Sequence, residues 1–340
     1  MTSVLENYRL KFERGDSFEI DDAEQLLNAL IEESNESLLS SVFVSWNRKG
    51  IDEHEIYAIA KLMRERMKRV NSKHETCVDI VGTGGSKAKT FNVSTAAAFV
   101  VAGEGVAVAK HGNKAATSNS GSADVLSELG LNHALDPVAS ERSLNEIGIC
   151  FMFAPNHHRL SPTLAKVRRS LGFPTIFNCV GPLCNPAGAQ HQLIGVWDIT
   201  LLPKMAGALA KLGTKKSWVV HGEDGLDEIS VTESTYVAEV ISESVNEFKI
   251  APSDFGTDPK GSTDLRAATP ENSARLIRQV LAPSRDEFLA RTLVEINAAA
   301  AIYLAGFGDD LFEASNCARD SIQGGRAHGK LEALINYQRA

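Results

Sequence analysis

The chain has 340 residues, 43% of them apolar and 23% charged, the balance of a globular protein able to bury one large core or two unequal ones. That balance excludes a disordered tail or a fibre. A net charge of −8 gives no general attraction to nucleic acid or anionic lipid, so an anion bound here must be held by a local set of donors.

In chain order, Met1, Thr2 and Ser3 lead into Glu6, Arg9, Lys11 and Glu13, which lacks the basic-then-apolar order of an export signal. No apolar run approaches the roughly 20 residues needed to span a bilayer, so a cytoplasmic, non-membrane protein is expected. The first seventy residues read as helices. Leu26, Leu27, Leu30 and Ile31 follow the capping candidates Asp21 and Asp22, and Ile56, Ile59, Met63, Met67 and Val70 recur at three and four behind Asp52. From Cys77 the texture changes. Short apolar runs, Cys77 to Val81, Gly105 to Ala109 and Ser217 to Val220, each precede turn residues and then a helical pattern, with the small-residue helix Ser94 to Val101 between the first two. Such alternation predicts an α/β fold with a largely parallel sheet covered by helices, the alanine-rich stretch from Ile296 to Leu304 among them. Ser253 to Lys260 reads as an exposed loop. The five cysteines, Cys77, Cys150, Cys179, Cys184 and Cys317, contain no C-x-x-C pair and are expected to be free buried thiols.

Two segments carry the chemistry. Between Asp79 and Thr95 a strand ends, three glycines in four residues free the backbone to turn, and Asn92, Ser94 and Thr95 stand where a helix begins. Main-chain N–H groups in such a turn, backed by a helix N-terminus, cradle phosphate, although a glycine-rich turn alone can be merely structural. The second segment, Lys110 to Asp124, places two lysines, an amide and several hydroxyls around two glycines, which suits a polyanion but also a solvated loop. Asp227 and Glu228 form an adjacent acidic pair, readable either as a magnesium anchor or as a solvated turn.

The order G-T-G-G-x-x-x-x-T-F-N-V-S-T followed by K-H-G-N-K-A-A-T-S-x-S-G-S-A-D resembles the anthranilate phosphoribosyltransferase family. The similarity continues through Phe151 to Pro155, His158, Val167 to Gly172, Thr175 to Ala187 and His221 to Ser230. The resemblance implies transfer of the phosphoribosyl group of phosphoribosyl pyrophosphate (PRPP) to the amine of anthranilate, in tryptophan biosynthesis. It implies a donor site at Gly82, Gly84, Gly85, Ser86, Thr90, Asn92, Ser94, Thr95, Lys110 and Ser122. Acceptor contacts would come from Gly82, His111, Asn113, His158 and Arg168, with Pro155, Asn178 and Pro182 shaping the walls, and Mg2+ would be held by Ser94, Asp227 and Glu228. His157, Arg169, Glu223 and Asp224 are assigned structural or surface roles. No certain catalytic base is named, because an aniline nitrogen is already a neutral nucleophile at pH 7. A small helical domain (1–72 with 161–193), a large α/β domain (73–160 with 194–340) and a homodimer through the helical domain are expected.

Two departures from the family pattern stand out: Ser86 where most members carry Asp, and Arg159-Leu-Ser-Pro162 in place of Pro-Ala-Met-Lys. The alternatives are a same-fold ribosyl or phosphoribosyl transferase with another aromatic or pyrimidine acceptor, and a non-enzymatic relative that binds nucleic acid.

Overall fold

The computed structural model describes residues 3–86, 88, 90–114, 121–258, 265, 269–286 and 288–339. Helices α1 (Val4–Glu13), α2 (Ala23–Glu32), α3 (Glu36–Lys49) and α4 (Glu53–Arg66) come first. Their ends are set by local donors and acceptors. Ser3 Oγ accepts from the Glu6 N–H at 3.2 Å, Asn35 Oδ1 accepts from Ser37 and Leu38, and Glu55 reaches back to the Asp52 N–H at 3.0 Å. Asp21 and Asp22 do not cap α2 with their side chains; they lie in a 3-10 turn, Ile20–Asp22, that leads into it. Helix α4 ends before Met67, which is extended, and Val70 instead ties its N–H to the Pro186 carbonyl at 3.1 Å.

The remainder runs β1 (Cys77–Gly82), α5 (Val93–Gly103), β2 (Ala107–Gly112), α6 (Ser122–Glu128), α7 (Pro137–Ile147), β3 (Ile149–Phe153), α8 (Ala154–His157), α9 (Pro162–Ser170), α10 (Ile176–Leu183), β4 (His191–Gly195), α11 (Leu202–Leu212), β5 (Lys216–Gly222), β6 (Thr235–Ile241), β7 (Ser244–Ile250), α12 (Pro270–Leu281), α13 (Leu289–Leu304), α14 (Leu311–Gln323) and α15 (Arg326–Arg339). The strands form one sheet in the order β3-β2-β1-β4-β5-β6-β7. Neighbours from β3 through β5 pair in parallel, as the alternating pattern predicted; the β6–β7 hairpin adds an antiparallel edge that it did not.

Side chains alternate between the two faces of each strand. Val78, Ile80, Val108, Trp218 and Val220 point into a core built with α5, α13 and the C-terminal helices. Alanines let α5 and α13 lie close to the sheet, and α13 is buried along nearly its whole length. Ile194, Val196, Val219, Ala238 and Val240 face the other way and share a second core with α1 to α4, α9, α10 and α11. Strand order reverses direction between β1 and β4, and in open α/β sheets the crevice beyond the strand C-termini at such a reversal is where ligands bind. The expected loop after Ser253 begins as a 3-10 turn, Pro252–Phe255, because Phe255 is buried in the first core; Pro259 and Lys260 lie outside the described residues. Cys77, Cys150, Cys179 and Cys184 are buried free thiols, and Cys317 is partly buried.

Candidate active site

Beyond β1 the chain passes through Thr83 and then Gly84 (φ +64°) and Gly85 (φ +89°), left-handed positions that disfavour any side chain. Thr83 locks the start of this turn to β4: its N–H and hydroxyl both reach the Gly195 carbonyl, at 2.9 and 3.2 Å. A Cβ on Gly85 would stand 2.6 Å from Pro174 Cγ, so the turn packs under the segment joining α9 to α10. Ser86 Oγ donates to the Gly225 carbonyl at 2.8 Å, tying the glycine turn to the turn that carries the acidic pair. Thr90 donates to the Phe91 carbonyl at 3.1 Å. Asn92 stands at the N-terminus of α5, where its N–H donates to Ser273 Oγ and its Oδ1 accepts from that hydroxyl, both at 3.0 Å. Thr95 Oγ1, one turn into the helix, is buried without a partner.

The acidic pair sits directly over the β1–β4 reversal. At Gly195 any Cβ would overlap the Asp227 carbonyl group, and at Gly82 it would touch Asp227 Oδ2 at 3.4 Å. Burial raises the pKa of Asp227, opposed by the neighbouring His221 and a hydrogen bond from the Gly84 N–H. Burial and then the charge of Asp227 push Glu228 up to about 8, opposed by Lys110 and the Ser94 N–H. Lys110 donates to the Ile80 carbonyl and to Ser94 Oγ (3.1 Å), so its ammonium sits between strand and helix. Ser122 lines a small cavity of about 10 Å3 with Lys110 and Gly112, and donates to the Asn113 carbonyl at 3.3 Å.

This donor set fits magnesium. Two buried carboxyls, both pushed up by burial and Glu228 further by the charge of Asp227, lie beside a serine hydroxyl and form an all-oxygen group whose charge a divalent ion would stabilise. Among the described residues, one trio of Asp, Glu and His side chains brings its ligand atoms within 4.8 Å, Asp52, His54 and Glu55 in the N-terminal helices. There the Lys49 ammonium already lies 2.7 Å from Asp52 and 3.1 Å from Glu55, so the charge is met without a metal. Glu223 and Asp224 are likewise occupied: Glu223 pairs with Lys249 at 2.6 Å, and Asp224 accepts from Ser230 and Thr232.

Lys110 and His111 are neighbours on β2 and therefore leave opposite faces of the sheet. His111 turns toward α10, which organises the second half of the site at successive turns. Phe177 lies under the Arg168 guanidinium, 4.9 Å from ring centroid to Cζ. Asn178 donates to the Thr83 carbonyl at 3.1 Å, the Gly181 carbonyl accepts from His111 Nδ1 at 3.2 Å, and the Cys184 backbone bonds His158. The His111 and His158 rings are 5.1 Å apart. Burial lowers both pKa values, His158 to about 4, so both rings are neutral at pH 7, each with a buried Nε2 that has no partner. Arg168 also keeps an unpartnered, buried Nε. Asn113 is the outlier, an exposed side chain whose Oδ1 accepts from the Lys114 N–H at 2.7 Å, and residues 115–120 of its segment lie outside the described residues. His157 donates Nδ1 to the Lys68 carbonyl at 2.8 Å, and Arg169 is exposed.

With that geometry in place, the relatives decide the family. Residues 74–328 match the glycosyl transferase family, a/b domain. Anthranilate phosphoribosyltransferase from Chromohalobacter salexigens is 42% identical over 320 residues, 94% of this chain and 92% of that protein. The chain belongs to the anthranilate phosphoribosyltransferase family. The crystal structure of the Thermus thermophilus member superposes with a TM-score of 0.88 at 35% identity, covering 98% of this chain and 99% of that one. The Saccharomyces cerevisiae member, in complex with PRPP and Mg, gives 0.88 at 27% identity, covering 98% of each chain. The helical start with a mainly parallel α/β sheet is thus the family's fold, and this phosphoribosyltransferase transfers to anthranilate; neither a pyrimidine acceptor nor nucleic-acid binding finds support.

Sequence reasoning missed four residues that hold the site together. Asp79 accepts from the His111 N–H at 3.1 Å and from Asn185 Nδ2 at 2.7 Å; Asn185 also bonds the Ala109 carbonyl. Both lie inside quoted motifs, so a charged residue within an apolar strand was a readable signal. Thr83 and Ser273 carried none, because a hydroxyl's partner cannot be read from its type.

Proposed function

We propose that this phosphoribosyltransferase works by holding a magnesium-bridged PRPP over the β1–β4 reversal and presenting anthranilate from the α10 side. The observation that carries this reading is the Asp227–Glu228 turn folded over Gly82 and Gly195, with Lys110 and Ser94 beside it. Ser94, Asp227 and Glu228 would hold the ion, which supplies positive charge to the departing diphosphate. Gly82, Gly84, Gly85, Ser86, Thr90, Asn92, Thr95 and Ser122 line the donor, with turn N–H groups and the start of α5 aimed at phosphate oxygens. Lys110 adds a fixed cation where negative charge grows as the C1–O bond breaks.

On the acceptor side, Arg168 binds the anthranilate carboxylate and the neutral His111 and His158 Nε2 atoms accept its amine hydrogens, with Gly82 and Asn113 completing the contacts. Positioning and leaving-group stabilisation dominate over general-base catalysis. Residues 1–72 with 161–193 act as a helical domain that closes on the α/β domain of 73–160 with 194–340 and excludes water. The enzyme works as a cytoplasmic homodimer joined through the helical domain and serves tryptophan biosynthesis; no helix among the described residues is long and apolar enough to cross a membrane. The decisive assay mixes protein, magnesium, PRPP and anthranilate and follows loss of anthranilate fluorescence. Loss that requires all four components is expected; unchanged fluorescence with folded protein would overturn the reading.

A further inference from the structure

A second cavity lies away from the ligand-facing end of the site just built and shares with it only the supporting residue Asn185. It opens at the opposite end of the sheet, where the chain enters β4 and β5, and has a volume of about 260 Å3. Its lining is Arg64, Asn185, Gly188, Ala189, Gln190, Gly213, Thr214 and Lys215, with no carboxylate among them. Arg64 comes from α4, whereas the other seven come from the loops that precede β4 and β5.

The charge of the lining can be counted. Arg64 Nε donates to the Leu183 carbonyl at 2.5 Å and Nη1 to the Leu212 carbonyl at 2.9 Å, the last residues of α10 and α11. Each helix C-terminus carries about half a negative charge. Arg64 and Lys215 together therefore leave an excess of about one positive charge. Among the described residues Nη2 of Arg64 has no acceptor and Lys215 has no ion-pair partner. Burial pushes the Arg64 pKa down, and the nearby Arg69 adds to that effect. The Gln190 backbone carbonyl accepts from the Lys215 N–H and the Thr214 hydroxyl, both at 2.9 Å, but its side-chain Oε1 is buried with no partner.

We propose that this cavity is a second binding site, for a small monocarboxylate. The carboxylate would sit against the free end of Arg64 with Lys215 at the rim. A cavity of about 260 Å3 admits a few-carbon hydroxy or amino acid. A structural role for Arg64 as the clamp on two helix ends accounts for Nε and Nη1. It does not account for the free Nη2 and an unpaired lysine lining the same cavity.

A ligand-observed NMR titration of glycolate into the full chain tests this, with ethanolamine as a cation of similar size. Saturable glycolate binding is expected in the wild type, weaker by at least about five-fold in Lys215→Glu and unchanged in Arg168→Gln, where the front carboxylate site is altered. Lys215 is exposed, so its reversal leaves folding intact; Arg64→Gln should act in the same direction. Equal affinity in wild type and Lys215→Glu, binding of ethanolamine in place of glycolate, or no saturable glycolate site would overturn the proposal. Loss of anthranilate transfer in Lys215→Glu would overturn it too, because the cavity would then belong to the active site.

Discussion

The two halves of the proposed active site are built in different ways. At the donor end the chain uses short contiguous segments and mostly backbone: a glycine turn, the start of α5, and an acidic turn pressed onto Gly82 and Gly195. At the acceptor end, His111, His158 and Arg168 come from three elements and are gathered by a single helix, α10, through Phe177, Gly181 and Cys184. Backbone geometry tolerates almost no added atom, whereas side-chain contacts can be trimmed singly. The donor end should therefore fail abruptly under substitution and the acceptor end by degrees.

The sharpest test is Gly195→Ala. Its Cβ has no room beside the Asp227 carbonyl, so the acidic turn must lift and carry both carboxyls away from Ser94. Turnover is expected to fall by about a hundred-fold or more, the scale for misplacing charge stabilisation at a leaving group, with the circular dichroism spectrum retained. Near-wild-type turnover would mean that the turn's position does not matter and would remove the asymmetry.

Glu228→Gln should act next most strongly, and it has a pH signature. The folded pKa of about 8 stands above the ordinary value of 4.5, so the metal-free folded protein keeps a proton that the unfolded chain has released across that window. Glu228 thus favours folding less and less as pH rises from 4.5 to about 8, while magnesium binds more tightly as the proton leaves. Thermal unfolding with and without magnesium should show stabilisation by the ion growing toward pH 8, with a proton released on binding. In Glu228→Gln that growth should flatten and magnesium affinity drop about ten- to hundred-fold.

How much of this was legible beforehand follows the same division. The glycine turn and the start of α5 were readable as a phosphate cradle because contiguous residue types dictate their backbone, whereas Lys110 and the acidic pair were singled out by the family resemblance. The acceptor residues His111, His158 and Arg168 could be named only through the family resemblance, since no local spacing says that α10 will gather them. The β6–β7 hairpin went unseen because β7 is an exposed edge whose Ser244, Asn246 and Glu247 look like loop. Asp79 and Asn185 went unchosen because burial, which makes their bond matter, is not a local property.

Arg168→Ala tests the graded end. Removing the guanidinium from above Phe177 leaves the carboxylate of anthranilate without its cation, a loss of about 1.5–3 kcal/mol for a charged hydrogen bond. The KM for anthranilate should rise about ten- to hundred-fold while the KM for PRPP stays near its wild-type value. A loss confined to the PRPP term would move Arg168 to the donor side.

The smallest effect is expected from Ser273→Ala, which reaches the donor site from α12, far along the chain. Ser273 accepts from the Asn92 N–H and donates to Asn92 Oδ1, so it fixes both the first turn of α5 and the direction of the amide. Alanine removes both bonds and leaves α5 in place, because Val93 and Ala96 remain packed in the sheet core. The cost should be about 1 kcal/mol, seen as a roughly five-fold rise in the KM for PRPP with little change in that for anthranilate. If the anthranilate term moved equally, the two halves would be coupled through α5, and the contrast between an abrupt backbone site and a graded side-chain site would not hold.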